Sequence, residues 1–166
     1  MRRRTALLVL LAGLAGGCAT LGQLILPPTF AAAPGRASEL RLLGPSVSRP
    51  LGGATIRVWA HVENPNPFGL TLARLAGDLL LEGEQAARID LPLGLPLEAQ
   101  QSTVIPIDLN VSFNDLPDLA RALRDAVTRN TVAYRLVGTL AVDAGALGQP
   151  SFGPSTWMNG QLQIVR

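Results

Sequence analysis

Four segments of the chain alternate apolar and polar residues, and this period of two limits the possible folds more than any other feature. In residues 54–62 the apolar face consists of Ala54, Ile56, Val58, Ala60 and Val62. The same alternation runs through residues 105–113, 132–142 and 158–164. Weaker strand candidates are residues 39–47, 70–82 and 87–93. Strands that alternate in this way bury only one face, so the pattern predicts about seven strands.

The same alternation also indicates how the strands pack. Strands buried on both faces, as in parallel sheets covered by helices, would be apolar throughout. One-sided alternation favours antiparallel sheets packed face to face, which is an all-β sandwich. We expect residues 38–166 to form one domain of this kind, long enough to bury a core without disulfide bonds.

Residues 114–129 interrupt the strand pattern and predict one added α-helix. Asn114 or Asp115 can cap its start, and Asn130 can end it in a left-handed conformation. Apolar residues recur at helical spacing and form one stripe: Leu116, Leu119, Ala120, Leu123 and Val127. We expect this stripe to cover an open end or face of the sandwich.

The first 17 residues have the layout of a secretory signal peptide. Three arginines precede an uncharged apolar run, and three small residues then lead to Cys18, the only cysteine of the chain. This arrangement resembles the lipobox of bacterial lipoproteins. The resemblance implies that the Cys18 thiol carries a diacylglycerol, and that cleavage makes Cys18 the first residue, with an acylated amine. Two or more acyl chains hold a protein firmly on a membrane.

Residues 18–37 are rich in Pro and Ala and predict a tether between membrane and domain. Because the tether is fairly apolar, part of it can lie on the membrane or dock on the domain. Ala19 is not the Asp that commonly marks inner-membrane retention, so we expect the periplasmic side of an outer membrane. Two alternatives stay open: an uncleaved membrane helix, since residues 5–26 carry no charge, and a cleaved secretory peptide without lipid.

Charge and residue types argue against several classes of function. Without Arg2, Arg3 and Arg4, 11 arginines remain against 12 Asp and Glu residues, a net charge of −1. No arginine cluster remains, so nucleic acid is not an expected partner. The only histidine, His61, lies at a polar strand position, and neither a metal site nor a catalytic triad is predicted. We therefore expect no enzymatic activity and no cofactor.

One short motif carries a family resemblance. A predicted strand ends in Asn64-Pro65-Asn66-Pro67, and an apolar strand resumes at Leu70. Asn tolerates left-handed backbone and Pro removes a donor, so the motif predicts a turn, with a binding site as the alternative. Together with the single helix before the last two strands, it resembles the type 2 late-embryogenesis-abundant family, also called the water stress and hypersensitive response domain.

This resemblance covers residues 38–166 and implies an immunoglobulin- or fibronectin-III-like β-sandwich with one added α-helix. It also implies a link to desiccation or stress tolerance, without a known reaction. The first hypothesis is thus a non-catalytic, monomeric envelope lipoprotein held on the membrane through Cys18. Two others remain. One is a module that binds an apolar or lipidic ligand through leucine-rich residues 79–81 and 91–97. The other is a scaffold that binds an envelope protein by strand addition.

Overall fold

The computed structural model describes residues 25–114 and 117–165, and most of these lie in eight β-strands. The strands are β1 (Thr29–Ala32), β2 (Glu39–Leu43), β3 (Gly53–Glu63), β4 (Leu70–Leu81), β5 (Glu84–Leu97), β6 (Ser102–Ser112), β7 (Thr131–Asp143) and β8 (Ser151–Val165). Helix α1 (Pro117–Arg129) connects β6 to β7, and a 3-10 turn at Gly145–Leu147 lies between β7 and β8. Cys18 and the predicted signal peptide lie outside the described residues.

All eight strands belong to one open sheet, which folds over to enclose the core. Its order is β1-β3-β2-β8-β7-β4-β5, with β6 on the other side of β3. Both β1 and β2 pair with β3, at opposite ends of that strand. The expectation of antiparallel neighbours is correct for every pair of these strands except β2 and β8, which are parallel. That pair joins the half of the sheet around β3 to the half around β7.

The faces predicted to be apolar meet in one continuous core, which confirms the all-β sandwich. The five predicted inward residues of β3 are each at most 3% exposed. Predicted inward residues are likewise buried in β7 and β8: Val132, Tyr134, Leu136, Leu140, Val142, Met158, Leu162 and Ile164. Each large aliphatic side chain buried in this way stabilises the fold by about 1.5–3 kcal/mol.

The structure has one strand more than the predicted number of about seven, and the strand that was not predicted is β1. It lies within residues 18–37, the segment predicted as a tether, and pairs with the end of β3 from Thr29↔Glu63 to Ala32↔Ala60. Ile25 and Ala33, on either side of it, are buried. The sequence allows the apolar tether to lie on the membrane or to dock on the domain. The described part of the tether docks on the domain.

Helix α1 packs against β5 and β7, as expected for a stripe that covers the sandwich. Leu119 and Leu123 are buried in the core, and Asn130 has a φ of 58°, the predicted left-handed ending. Asn114, one candidate cap, accepts a hydrogen bond from the Leu51 N–H at 3.2 Å, so its side chain holds the β2–β3 loop. Asp115 and Leu116 lie outside the described residues.

Candidate functional site

The predicted turn motif occupies the loop between β3 and β4, and its two asparagines are the most deeply buried polar residues of the described chain. Asn64 and Asn66 are both 0% exposed, whereas Pro67 is exposed and Pro65 is half-buried. A buried side-chain amide costs free energy unless its donors and acceptor are paired. The partners of these two amides therefore define what the motif does.

Asn64 joins its own loop to the turn between β5 and β6. Its Nδ2 donates to the carbonyl oxygen of Phe68 at 2.8 Å and to that of Glu98 at 2.9 Å. Its Oδ1 accepts from the Asn66 main-chain N–H and from Asn66 Nδ2, both at 3.0 Å. The main-chain N–H of Asn64 donates to Gln101 O at 2.9 Å. Both amide hydrogens and both acceptor positions of this side chain are used.

Asn66 joins the same loop to the segment that precedes β1. Its Oδ1 accepts from the Leu26 N–H at 2.8 Å, and its Nδ2 donates to Leu26 O at 2.9 Å. The side chain thus pairs with one residue of the N-terminal segment as a neighbouring strand would. Its second amide hydrogen goes to Asn64. The partner Leu26 lies 40 positions away in the sequence, and no local sequence pattern indicates it.

The geometry favours a structural role over ligand binding for the motif Asn64-Pro65-Asn66-Pro67. The two amides tie together the β3–β4 loop, the β5–β6 turn and the N-terminal segment, and every amide hydrogen already has a protein acceptor. A ligand could bind these groups only by breaking bonds that hold the three segments. The predicted turn remains the better interpretation, and the motif offers no free donor for substrate or ion.

A row of charged residues crosses the outer face of β2, β3 and β6. Glu39 lies opposite Arg57, and Arg57 lies opposite Asp108. Arg57 Nε and Nη2 donate to the two carboxylate oxygens of Asp108 at 2.7 and 2.9 Å. These hydrogen bonds, more than the charge of Arg57, lower the pKa of Asp108 below its usual value and raise that of Arg57. The row lines a shallow depression of about 350 Å³.

Next to this row, Trp59 lies half-buried on the same face of β3. The guanidinium carbon of Arg36 lies 4.3 Å from the centre of its ring, a cation–π contact. His61 is half-buried two positions further along β3, between Ala31 of β1 and Val104 of β6. Within the described residues, no group of three or more His, Cys, Asp or Glu side chains could hold a metal ion.

The leucine-rich segments divide between the core and an open edge. Leu79 and Leu81 are fully buried, whereas Leu91, Leu93 and Leu95 of edge strand β5 are half-buried against the core. The same edge strand contains Pro92 and Pro96, and β6, which pairs only with β3, contains Pro106. Proline offers no N–H to an incoming strand, so the edges of β5 and β6 are poor templates for strand addition.

The family model for late embryogenesis abundant proteins, LEA_2, matches residues 60–156. The chain belongs to the LEA_2 family. The matched region starts inside β3 and ends inside β8, so it includes the Asn-Pro-Asn loop and helix α1. The resemblance based on that motif is therefore confirmed, and with it a stress-related class of protein. A comparison with curated protein sequences gives no match.

The LEA_2 chain is also similar to two solved structures. One is the solution structure of a protein from Arabidopsis thaliana, which is 20% identical with a TM-score of 0.53 over 78% of this chain and 81% of that chain. The other is the crystal structure of a protein from Archaeoglobus fulgidus, 11% identical, with a TM-score of 0.45 over 77% of this chain and 95% of that chain. At 20% identity, the likeness to the Arabidopsis protein concerns the fold.

Proposed function

We propose that this LEA_2 protein is a non-catalytic lipoprotein of the cell envelope, held by acyl chains on Cys18 at the periplasmic side of an outer membrane, with a role in desiccation or stress tolerance. The observation that carries the proposal is the solitary cysteine, placed directly after Ala15, Gly16 and Gly17 behind an arginine-led apolar run. A thiol is the one side-chain group that forms the required thioether. The family supports the stress-related role.

The described domain supports a function that needs no reaction. Its buried side chains with polar groups are Ser38, Asn64, Asn66 and Tyr134, and the two asparagine amides are fully paired with protein groups. The charged row of Glu39, Arg57 and Asp108 is exposed, and its guanidinium and carboxylate neutralise each other. Among residues 25–114 and 117–165, no helix has the length and apolar character that a bilayer crossing requires.

Intact-mass analysis of the protein extracted from membranes of its own host tests the attachment. The expected mass begins at Cys18 and includes two or more acyl chains. A Cys18→Ser variant is the matched control, because it keeps the signal sequence but removes the thiol that accepts the lipid. Retention of residues 1–17 in the wild-type mass would contradict the lipoprotein and indicate an uncleaved membrane helix.

Survival after drying tests the stress-related role separately. A strain that lacks the protein should survive drying and osmotic shock less well than its parent, and the wild-type chain should restore survival. The Cys18→Ser chain should restore it poorly if the role depends on the membrane. Equal survival of the deletion strain and its parent would contradict the stress-related role. It would not contradict the proposed lipidation.

The edge of strand β5 favours one second candidate, a module that binds an apolar ligand. Leu91, Leu93 and Leu95 are half-buried and point toward the core from an unpaired edge, so an acyl chain could cover them. Native mass spectrometry of protein purified from its host without denaturant would show such a ligand as an added mass. A spectrum with only the covalent acyl chains would exclude this candidate.

A further inference from the structure

We propose that one end of the sandwich faces and touches the membrane, with helix α1 at the opposite end in water; this rests on the lipid proposed at Cys18. We call the membrane-facing end the loop end. It consists of residues 25–28, the β3–β4 loop (64–69), the β5–β6 turn (98–101) and the β7–β8 loop (144–150).

The strand register brings these four segments to the same end. Leu70 at the start of β4 lies opposite Leu97 at the end of β5, and Thr71 lies opposite Asp143 at the end of β7. The Asn66 side chain holds Leu26 against the β3–β4 loop through two hydrogen bonds. Strand β6 runs away from this end, so α1, which follows it, begins at the far end.

The length of chain between the lipid and the domain favours one end of the domain as the end nearest the membrane. Ile25 is seven positions after Cys18, and a chain extends at most about 3.6 Å per residue, so the link spans at most about 25 Å. A strand of 12 residues such as β4 is about 40 Å long at roughly 3.3 Å per residue. The link is shorter than the domain, and it enters the domain at the loop end.

The surface of the loop end suits an apolar contact with lipid. Leu26 is 53% exposed and Leu147 is 40% exposed, and both lie in segments of this end. The charged residues in and directly beside this end are acids: Glu98 lies in the β5–β6 turn, and Glu63 and Asp143 are the last residues of β3 and β7. Residues 25–29, 63–70, 97–102 and 143–151 include no arginine. Anionic headgroups would repel this surface. The contact therefore relies on apolar side chains at the membrane interface, with no need for anionic lipid.

Spin labels at two matched leucines test the orientation. The lipid blocks Cys18, so a cysteine introduced elsewhere is the single free thiol of the mature protein. Leu147 lies at the loop end and Leu42 near the far end, and both are 40% exposed. The lipidated full-length variants Leu147→Cys and Leu42→Cys are reconstituted in phosphatidylcholine vesicles. Collision of each label with oxygen and with a water-soluble nickel chelate is then measured by electron paramagnetic resonance.

The label at position 147 should show a several-fold higher ratio of oxygen to nickel collisions than the label at position 42, and added phosphatidylglycerol should not raise it. Equal ratios at the two positions, a higher ratio at position 42, or a rise with phosphatidylglycerol would overturn the proposal. Intact mass of the same samples separates the two inferences. Acylated protein with equal ratios contradicts only the orientation, whereas protein without acyl chains contradicts the lipoprotein itself.

Discussion

The Nδ2 group of Asn66 donates a hydrogen bond to Oδ1 of Asn64 at 3.0 Å, and both side chains are completely buried. Through this bond, the two amides act as one unit that joins three segments far apart in the sequence. Removing either amide leaves main-chain groups without the partners they have in the folded state.

Asn66→Ala should therefore destabilise the domain more than an ordinary polar substitution. The change leaves the N–H and carbonyl of Leu26 and the Oδ1 of Asn64 short of a partner, and we expect the free energy of unfolding to fall by roughly 2–3 kcal/mol. Urea unfolding followed by circular dichroism measures the loss. Fast proteolysis at residues 25–33 in the folded variant would show that β1 has also been released.

Asn110→Ala is the matched control for this variant, because Asn110 is an exposed asparagine on β6. Its effect should stay within about 0.5 kcal/mol. If the two variants unfold at the same urea concentration, the buried amides contribute no more than a surface residue, and the structural role assigned to the motif is wrong.

The sequence predicts the inward faces of the strands well, because the alternation of apolar and polar residues along each strand shows which side chains are buried. Ala54 to Val62 and their counterparts in β7 and β8 show this. It does not predict β1, since Thr29–Ala32 is too short to alternate and gains its place by pairing with β3. The bond from Asn66 to Leu26 spans 40 positions and leaves no local pattern either. The motif could thus be recognised as a turn, but its partners could not be named.

The contact between Gly77 and Gly138 likewise joins residues far apart in the sequence and leaves no local pattern. It leads to a second prediction. The two glycines lie directly opposite each other in β4 and β7. A Cβ on Gly77 would lie 2.0 Å from the carbonyl oxygen of Val137 and 2.5 Å from the Gly138 Cα. Gly77→Ala should force the two strands apart and lower the free energy of unfolding by about 3 kcal/mol. Thermal unfolding of purified protein is a sufficient measurement.

Gly44→Ala is the control for the strand glycine. A Cβ at Gly44 meets nothing within 4 Å, and its φ is not in the left-handed region. The variant should unfold at the wild-type temperature or slightly above it, because alanine restricts the unfolded chain. A Gly77→Ala protein as stable as Gly44→Ala would mean that β4 and β7 do not approach as closely as the structure has them.

The third prediction concerns the exposed ion pairs, which should add a small stability at neutral pH that is lost in acid. Hydrogen bonds from Arg57 lower the pKa of Asp108, and those from Arg74 lower the pKa of Asp90. A lowered pKa in the folded state stabilises the protein above the unfolded value of about 4, and this contribution disappears as pH falls through the folded value.

A double-mutant cycle with Arg57→Gln and Asp108→Asn measures the first of these pairs. The coupling should be small at pH 6, because both side chains are more than half exposed, and it should weaken in high salt. It should vanish at a pH below the folded pKa of Asp108. A coupling that is unchanged in acid would mean that charge plays no part in the contact.

The last prediction concerns Tyr134, whose hydroxyl is buried and has no hydrogen-bond partner among the described groups. Burial raises the pKa of this phenol above its ordinary value, and the nearby Ser38 side chain opposes the rise, although it does not meet hydrogen-bond geometry. The raised pKa means that the folded state favours the neutral phenol. Its contribution is complete below about pH 10 and is lost as pH rises toward the folded pKa.

Tyr134→Phe should therefore keep or increase the free energy of unfolding at pH 8, since it removes a buried hydroxyl that lacks a partner. Above about pH 10, wild type should lose stability more steeply than the variant. Urea unfolding of both proteins across this range gives the comparison. A variant clearly less stable than wild type at pH 8 would show that the hydroxyl does have a stabilising partner, and parallel pH profiles would show that its ionisation is not linked to folding.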